Sequence, residues 1–203
     1  MSGVEHYFTE NPSTERSPQQ FHENINGQKM TFTTDVGVFS RHSLDFGTKL
    51  LIESFQFPNI QGKILDVGCG YGPIGLTLAK QAPDREVILV DINERAVELA
   101  EMNRQANRIH NAVVKKSHLL EEVSTNRFAA ILSNPPIRAG KKVVYALFRQ
   151  AYEQLMSEGE LWIVSQKKQG APSAKNELIS LFGHVEVVNK SKGYFIFRAI
   201  KTE

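Results

Sequence analysis

The chain has 203 residues, 41% of them apolar and 23% charged, with a formal net charge of +2 and one cysteine, a balance that predicts one soluble globular domain with a sizeable core. A lone cysteine excludes an intrachain disulfide. No apolar run approaches the ~20 residues of a membrane span and no basic leader precedes an apolar stretch, so a cytoplasmic protein with no membrane partner is expected. With so small a net charge, a nucleic-acid partner must be met by a local basic patch.

From Met1 to about Asp35 the chain is polar, carries Pro12 and Pro18, and reads as an arm or small hairpin. Met30 to Thr34 has the alternation of a short strand, and Leu44 to Phe55 has the apolar spacing of an amphipathic helix. From Lys63 onward strands and helices alternate. Ile64 to Val67 is a strand, Pro73 to Gln81 a helix, Glu86 to Val90 a strand and Asn93 to about Asn107 a helix. Ala112 to Lys116 and Phe128 to Ser133 are strands, followed by a helix from about Gly140 to Met156, a strand over Leu161 to Ser165 and a helix over Ala174 to Phe182. Apolar strands alternating with helices predict a mostly parallel sheet covered on both faces. Val185 to Asn189 and Tyr194 to Ile200, joined by four residues, predict a closing antiparallel hairpin.

Asp66-Val67-Gly68-Cys69-Gly70-Tyr71-Gly72-Pro73 stands where the first strand of that series gives way to a helix. Glycines there permit positive φ and close approach of backbone to a ligand, and in open α/β sheets this carboxyl end is where ligands bind. The dinucleotide fingerprint is the competitor, and Asp91 supplies its distal acid. However, the sixth position of the fingerprint, counted with Gly68 as the first, is Pro73 where glycine is needed, and Asp66 places a carboxylate that repels a pyrophosphate but suits a cationic amine or sulfonium. The spacing therefore favours S-adenosylmethionine over NAD, with Asp91 accepting from the ribose hydroxyls. Cys69, with no neighbouring His or second Cys, reads as a packed side chain. The six histidines lack ligand spacing, and no metal site is expected.

A second motif, Ser133-Asn134-Pro135-Pro136, follows the fourth strand at the same sheet edge. Two prolines stiffen the loop and leave carbonyls free to accept. An amino group on a conjugated ring or carbonyl is a poor nucleophile because its lone pair is delocalised. Accepting its two hydrogens at Asn134 and at the Pro135 carbonyl favours pyramidal nitrogen, so methyl transfer becomes a matter of positioning. Arg138, Lys141, Lys142, Lys167 and Lys168 lie on loops beside this edge and are candidate phosphate contacts, although Lys141 and Lys142 could equally begin the next helix.

The segments Leu65 to Gly72, Val90 to Asn93 and Ser133 to Pro136 resemble the small-domain class I methyltransferases that include the ribosomal RNA guanine-N2 methyltransferases. The resemblance extends over Gly37 to about Lys201, taking in Gly37 to Ser40, Leu44 to Thr48 and Gly193 to Phe197. It implies an arm and cap over residues 1–48, a Rossmann-like α/β domain over 49–203 with a seven-stranded sheet whose last strand is reversed, and S-adenosylmethionine held by Asp66, Gly68, Cys69, Gly70, Tyr71, Gly72, Asp91, Ile92 and Asn134. It also implies that Asn134, Pro135, Pro136 and Ile137 handle the target amine, and that the partner is ribosomal RNA or the small ribosomal subunit. Two departures stand out. Ile137 replaces the usual aromatic after the prolines, so base stacking must come from elsewhere, with Phe39 a candidate. Ser117 and His118 occupy the place where an Asp or Asn often meets the cofactor adenine. Adenine-N6 and glutamine-N5 methylation, and a silent cofactor- or RNA-binding module, remain open alternatives.

Overall fold

The computed structural model describes residues 15–38, 40, 43–125, 127–136 and 139–202. Continuously apolar runs place β3 (Lys63–Val67), β4 (Val87–Asp91) and β6 (Phe128–Ser133) inside a seven-stranded sheet. It is completed by β5 (Ala112–Lys116), β7 (Leu155–Gln166), β8 (Glu186–Ser191) and β9 (Tyr194–Ile200). The order is β5-β4-β3-β6-β7-β9-β8. β3 to β7 run parallel, and β9 is antiparallel to both β7 and β8, as the closing-hairpin pattern predicts. The chain lays down β3, β4 and β5 in one direction and then returns to place β6 on the other side of β3. This reversal opens a crevice at the carboxyl ends of β3 and β6, where both motifs sit.

Helices cover both faces. α1 (Phe46–Ser54), α2 (Pro73–Gln81) and α3 (Glu94–Ala106) pack through Leu51, Ile52, Leu76, Leu78 and Ala100 on one side, and α4 (Lys141–Gln154) and α5 (Ala171–Phe182) through Leu147, Phe148, Ala151 and Leu178 on the other. The helix before β7 stops at Gln154, two residues earlier than its periodicity suggests. Leu155 turns extended at φ −67°, ψ 142° to pair with Phe128, and the next pairing, Ala130 with Glu160, leaves an irregular stretch containing Glu158 at φ 62°. The strand expected from Leu161 thus begins earlier.

Upstream, β1 (Gln19–Ile25) and β2 (Gln28–Thr34) form a separate hairpin. Its Asn26-Gly27 turn has both residues at positive φ, the geometry that matches strand twist. Ile25, Met30 and Phe32 are buried in the same core as α2 and α3. Asn103 of α3 and Asn107, the C-cap of α3 four residues on, hold β2: each side-chain oxygen accepts an N–H (Thr33 and Thr31, respectively) and each Nδ2 donates to the carbonyl of the same residue. Asn103 Nδ2 also donates to the Tyr71 carbonyl at 2.8 Å, so the hairpin is tied to the glycine loop.

Candidate active site

Gly68, Gly70 and Gly72 all adopt positive φ. A Cβ added at Gly68 or Gly70 would meet nothing within 4 Å, because both line a cavity of about 310 Å³. Gly72 instead serves the helix. It begins α2, donates its N–H to the Cys69 carbonyl, and a Cβ there would come within 2.7 Å of Leu76. The Cys69 thiol is buried, and burial followed by the charges of Asp91 and Asp66 pushes its pKa up, so it remains a thiol and contributes to the cavity wall as packing. Tyr71 packs edge-on against Phe21 and Phe32 of the hairpin, which thereby buttresses this wall.

Asp91 ends β4 at the cavity wall. Its Oδ2 accepts the Gly70 N–H at 2.8 Å and its Oδ1 the Asn93 N–H at 2.9 Å. A carboxylate has about four acceptor positions, so lone pairs remain for a vicinal diol. Burial raises its pKa while the hydrogen bonds from Asn93, Gly70 and Ile92 oppose the shift. Asp66 lies deeper. It is fully buried and outside the cavity lining; its Oδ2 accepts the Gly75 N–H at 2.8 Å, and its Oδ1 is buried without a hydrogen-bond partner. Burial, only partly opposed by the Gly75 bond and reinforced by Asp91, lifts its pKa to about 7. Its charge would therefore reach a cationic ligand through the loop, without contact. Ile92, Ser117 and His118 also line the cavity. The Ser117 hydroxyl donates to the Leu119 carbonyl, and His118 Nδ1 lies 2.8 Å from Glu121, so neither side chain is poised like a free carboxamide for adenine. Apolar Leu119, Val143 and Leu147 also line the cavity.

The opposite wall is Asn134, Pro135 and Pro136. Ser133 fixes it relative to the glycine loop by donating its hydroxyl to the Val67 carbonyl at 2.7 Å. The Asn134 amide is oriented from afar: its Nδ2 donates to Asp45 Oδ2 at 3.2 Å and to Thr48 Oγ1 at 2.9 Å. Asp45 is itself fixed as the N-cap of α1, accepting the Thr48 N–H at 2.9 Å. A carboxylate can only accept, so the NH₂ end must face Asp45, which leaves the Asn134 oxygen as the available end. The Pro136 carbonyl takes the Ala139 N–H, whereas the Pro135 carbonyl accepts no backbone bond from a described residue. Asn134 and Pro135, each with a carbonyl oxygen that no described donor meets, thus share the cavity wall. Asp45 and Thr48 are positioning residues, and nothing in the local pattern around them suggests a pairing with Asn134.

Of the other candidates, Lys141 and Lys142 open α4, and Lys167 and Lys168 occupy a short 3₁₀ turn after β7, all four exposed. Phe39, Ile137 and Arg138 lie outside the described residues. Among the described residues, no group of three His, Cys, Asp or Glu is placed to hold a metal, and no helix is long and apolar enough to cross a membrane. The cavity fits S-adenosylmethionine in its donor set: glycine backbone left open by missing side chains, a ribose-ready carboxylate at Asp91, and an orphaned acidic oxygen at Asp66 beneath the loop.

Residues 29–198 match the family model described as methyltransferase small domain. The chain belongs to that family. YbxB of Bacillus subtilis (strain 168) is 53% identical over 198 residues, covering 97% of this chain and 98% of that protein. Ribosomal RNA small subunit methyltransferase C of Escherichia coli (strain SMS-3-5 / SECEC) is 36% identical over 183 residues, 88% of this chain. The match covers 51% of the longer enzyme, so this chain spans about half its length. Among solved structures, the Thermus thermophilus 16S rRNA N2 G1207 methyltransferase (RsmC), in complex with AdoMet and guanosine, superposes with a TM-score of 0.81 at 27% identity, over 94% of this chain and 52% of that one. The methyltransferase small domain thus has a Rossmann-like class I architecture, and its two site motifs flank the reversal in strand order.

For this methyltransferase domain, Asp91→Ala is expected to weaken S-adenosylmethionine binding by roughly 1.5 to 3 kcal/mol, since charge-assisted bonds disappear and the Gly70 N–H loses its acceptor. Calorimetry checks this, with NAD as the ligand that should stay at background.

Proposed function

We propose that the domain transfers a methyl group from S-adenosylmethionine to the exocyclic N2 amine of a guanine in small-subunit ribosomal RNA. The observation that carries this reading is the Asn134 amide, clamped by Asp45 and Thr48 through its NH₂ so that its oxygen is the available end, on a cavity wall that Pro135 also lines. Support for guanine and for ribosomal RNA comes from the names of the enterobacterial and Thermus relatives.

S-adenosylmethionine, when bound, supplies a methyl carbon made electrophilic by a sulfonium. Asn134 and Pro135 accept the two amine hydrogens, draw the lone pair out of conjugation and aim it at that carbon. The N–C bond forms as the S–C bond breaks, the bonding pair remains on sulfur, and the surplus amine proton passes to solvent. The buried Asp66, proline-stiffened loop and pinned amide do not need to reorganise during this step. Because the target amine is inaccessible in a stacked duplex, an unpaired guanine should react faster than a paired one.

Radiolabelled transfer to small-subunit particles, free ribosomal RNA, DNA and release factor, followed by nucleoside analysis, is expected to yield N2-methylguanosine. N6-methyladenosine, or label confined to a protein glutamine, would reject guanine. Cofactor binding with no transfer at all would leave a silent module. With a short unstructured guanine-containing RNA as substrate, transfer should proceed at an unchanged rate in EDTA, because displacement from a sulfonium requires neither Lewis acid nor metal-activated water. Loss of turnover restored by a divalent ion would contradict the positioning mechanism.

A further inference from the structure

We propose that the corner where the start of α1 meets the β8–β9 turn docks the single-stranded RNA that flanks the target base. This rests on the RNA reading above and adds the path of the strand. Tyr194 opens β9 opposite Gln166 at the end of β7, so the turn lies at the same sheet edge as Asn134. Its ring packs over Gly47, where an added Cβ would come within 2.8 Å of two ring carbons. Phe46 lies beside it, the two centroids 5.5 Å apart. Phe46 directly follows Asp45, the carboxylate that grips Asn134, so this aromatic pair begins one residue from the partner of the amine-handling side chain.

A cation covers the pair: Lys192 Nζ sits 4.7 Å from the Phe46 centroid. The Lys167 N–H donates to the Gly193 carbonyl at 2.8 Å, which brings the Lys167–Lys168 turn alongside. Elsewhere Lys49, Lys63 and Lys116 each lie by a glutamate, but no described carboxylate pairs with Lys167, Lys168 or Lys192. Half-buried aromatic faces bordered by ammonium groups that no described carboxylate pairs, the adjoining Asp45 being committed to the Thr48 N–H and Asn134, match the alternation of base and phosphate along a single strand. A duplex hides its base faces, and an acidic protein would engage the cations but leave the rings idle. A base moving onto Phe46 would displace Lys192 towards the adjoining phosphate, so the ammonium that covers the ring becomes the backbone contact.

The test compares wild type with Lys167→Gln/Lys192→Asn, Tyr194→Leu and Tyr194→Phe, and with Lys29→Gln/Lys115→Gln as a charge-matched change elsewhere. Asn is chosen at position 192 because that residue sits at φ 47°, which Asn tolerates. Fluorescence anisotropy with a short guanine-containing single-stranded RNA is read across a salt series, and calorimetry with S-adenosylmethionine reports the integrity of the fold. Lys167→Gln/Lys192→Asn should flatten the log Kd against log salt slope by about 1.4 relative to the control pair, about 0.7 for each single-strand phosphate that is no longer neutralised. Tyr194→Leu should weaken binding roughly tenfold, with Tyr194→Phe near wild type, because stacking needs the ring and not the hydroxyl. The proposal is overturned if wild type binds and methylates RNA while these variants match their controls. It is also overturned if polyglutamate binding falls as far as RNA binding and Tyr194→Leu has no effect. A wild-type domain that binds S-adenosylmethionine but no RNA removes the proposed function itself, a result visible before any variant is made.

Discussion

Asn134→Ala is expected to lower kcat by about 10² to 10³-fold, comparable to deleting one preorganised hydrogen-bonding group from a transition state. The effect should fall on kcat with cofactor affinity nearly intact, because the Asn134 oxygen acts on the target amine while Asp91 and the glycine loop hold the cofactor by separate bonds. The clamp makes a second variant informative. Thr48→Val keeps the volume but removes the acceptor 2.9 Å from Asn134 Nδ2, leaving Asp45 alone to orient the amide. A smaller loss is then expected, about three- to tenfold and again confined to kcat, from misorientation of a catalytic group. Single-turnover rates with saturating cofactor, together with calorimetric Kd values, separate the cases. If Asn134→Ala weakened cofactor binding as much as it slowed turnover, the loop would be a shared scaffold and the amine-acceptor role would be wrong.

The second large effect is on stability against pH. Folded Asp66 holds its proton up to about pH 7, while the unfolded carboxyl releases its proton near 3.8. Between those values the folded chain binds more protons than the unfolded one, so stability falls as pH rises and the loss is complete above about 7. A shift of this size corresponds to about 4 kcal/mol. Denaturant melts of the cofactor-free domain at pH 5 and pH 8 should show this decline against the background of all other groups. Asp66→Asn should remove the contribution: an Asn oxygen still accepts from Gly75, and the buried NH₂ costs about 1 to 3 kcal/mol independent of pH. A decline of the same size in Asp66→Asn would locate the titration elsewhere. Since a cationic ligand favours the charged form, S-adenosylmethionine should bind more tightly at pH 8 than at pH 6.

What the sequence makes legible is local. The helix Pro73–Gln81 is read with both ends because a positive-φ glycine and a proline start it. The apolar runs of β3, β4 and β6 declare themselves buried on both faces, and the carboxyl-end rule places the glycine loop and Asn-Pro-Pro together without any knowledge of tertiary contacts. What escapes is long-range or depends on depth. Asp45 and Asn134 are 89 residues apart, and a helix N-cap is sufficient reason for an Asp at position 45, so its second bond leaves no local trace. Asp66 reads as a ligand-facing acid because spacing shows that it precedes the loop but not that it points beneath it. Likewise, Leu155 carries the periodicity of a helix residue, and only its pairing with Phe128 makes it strand.

The two asparagines of α3 have a meaning beyond anchoring the hairpin. A two-stranded ribbon ordinarily leaves a row of backbone groups open to recruit a strand from another molecule, the usual route to edge-to-edge aggregation. Along β2, the N–H and C=O of Thr31 and Thr33 are instead met by side-chain amides spaced four residues apart on a helix, so that Asn103 and Asn107 imitate the peptide groups of a missing neighbouring strand. A helix cannot propagate a sheet, and the ribbon therefore ends there. Because one of those amides also holds the Tyr71 carbonyl, the device that keeps this edge from self-association also keeps the glycine loop in shape. Selection for solubility and selection for the cofactor wall consequently act on the same atom of Asn103.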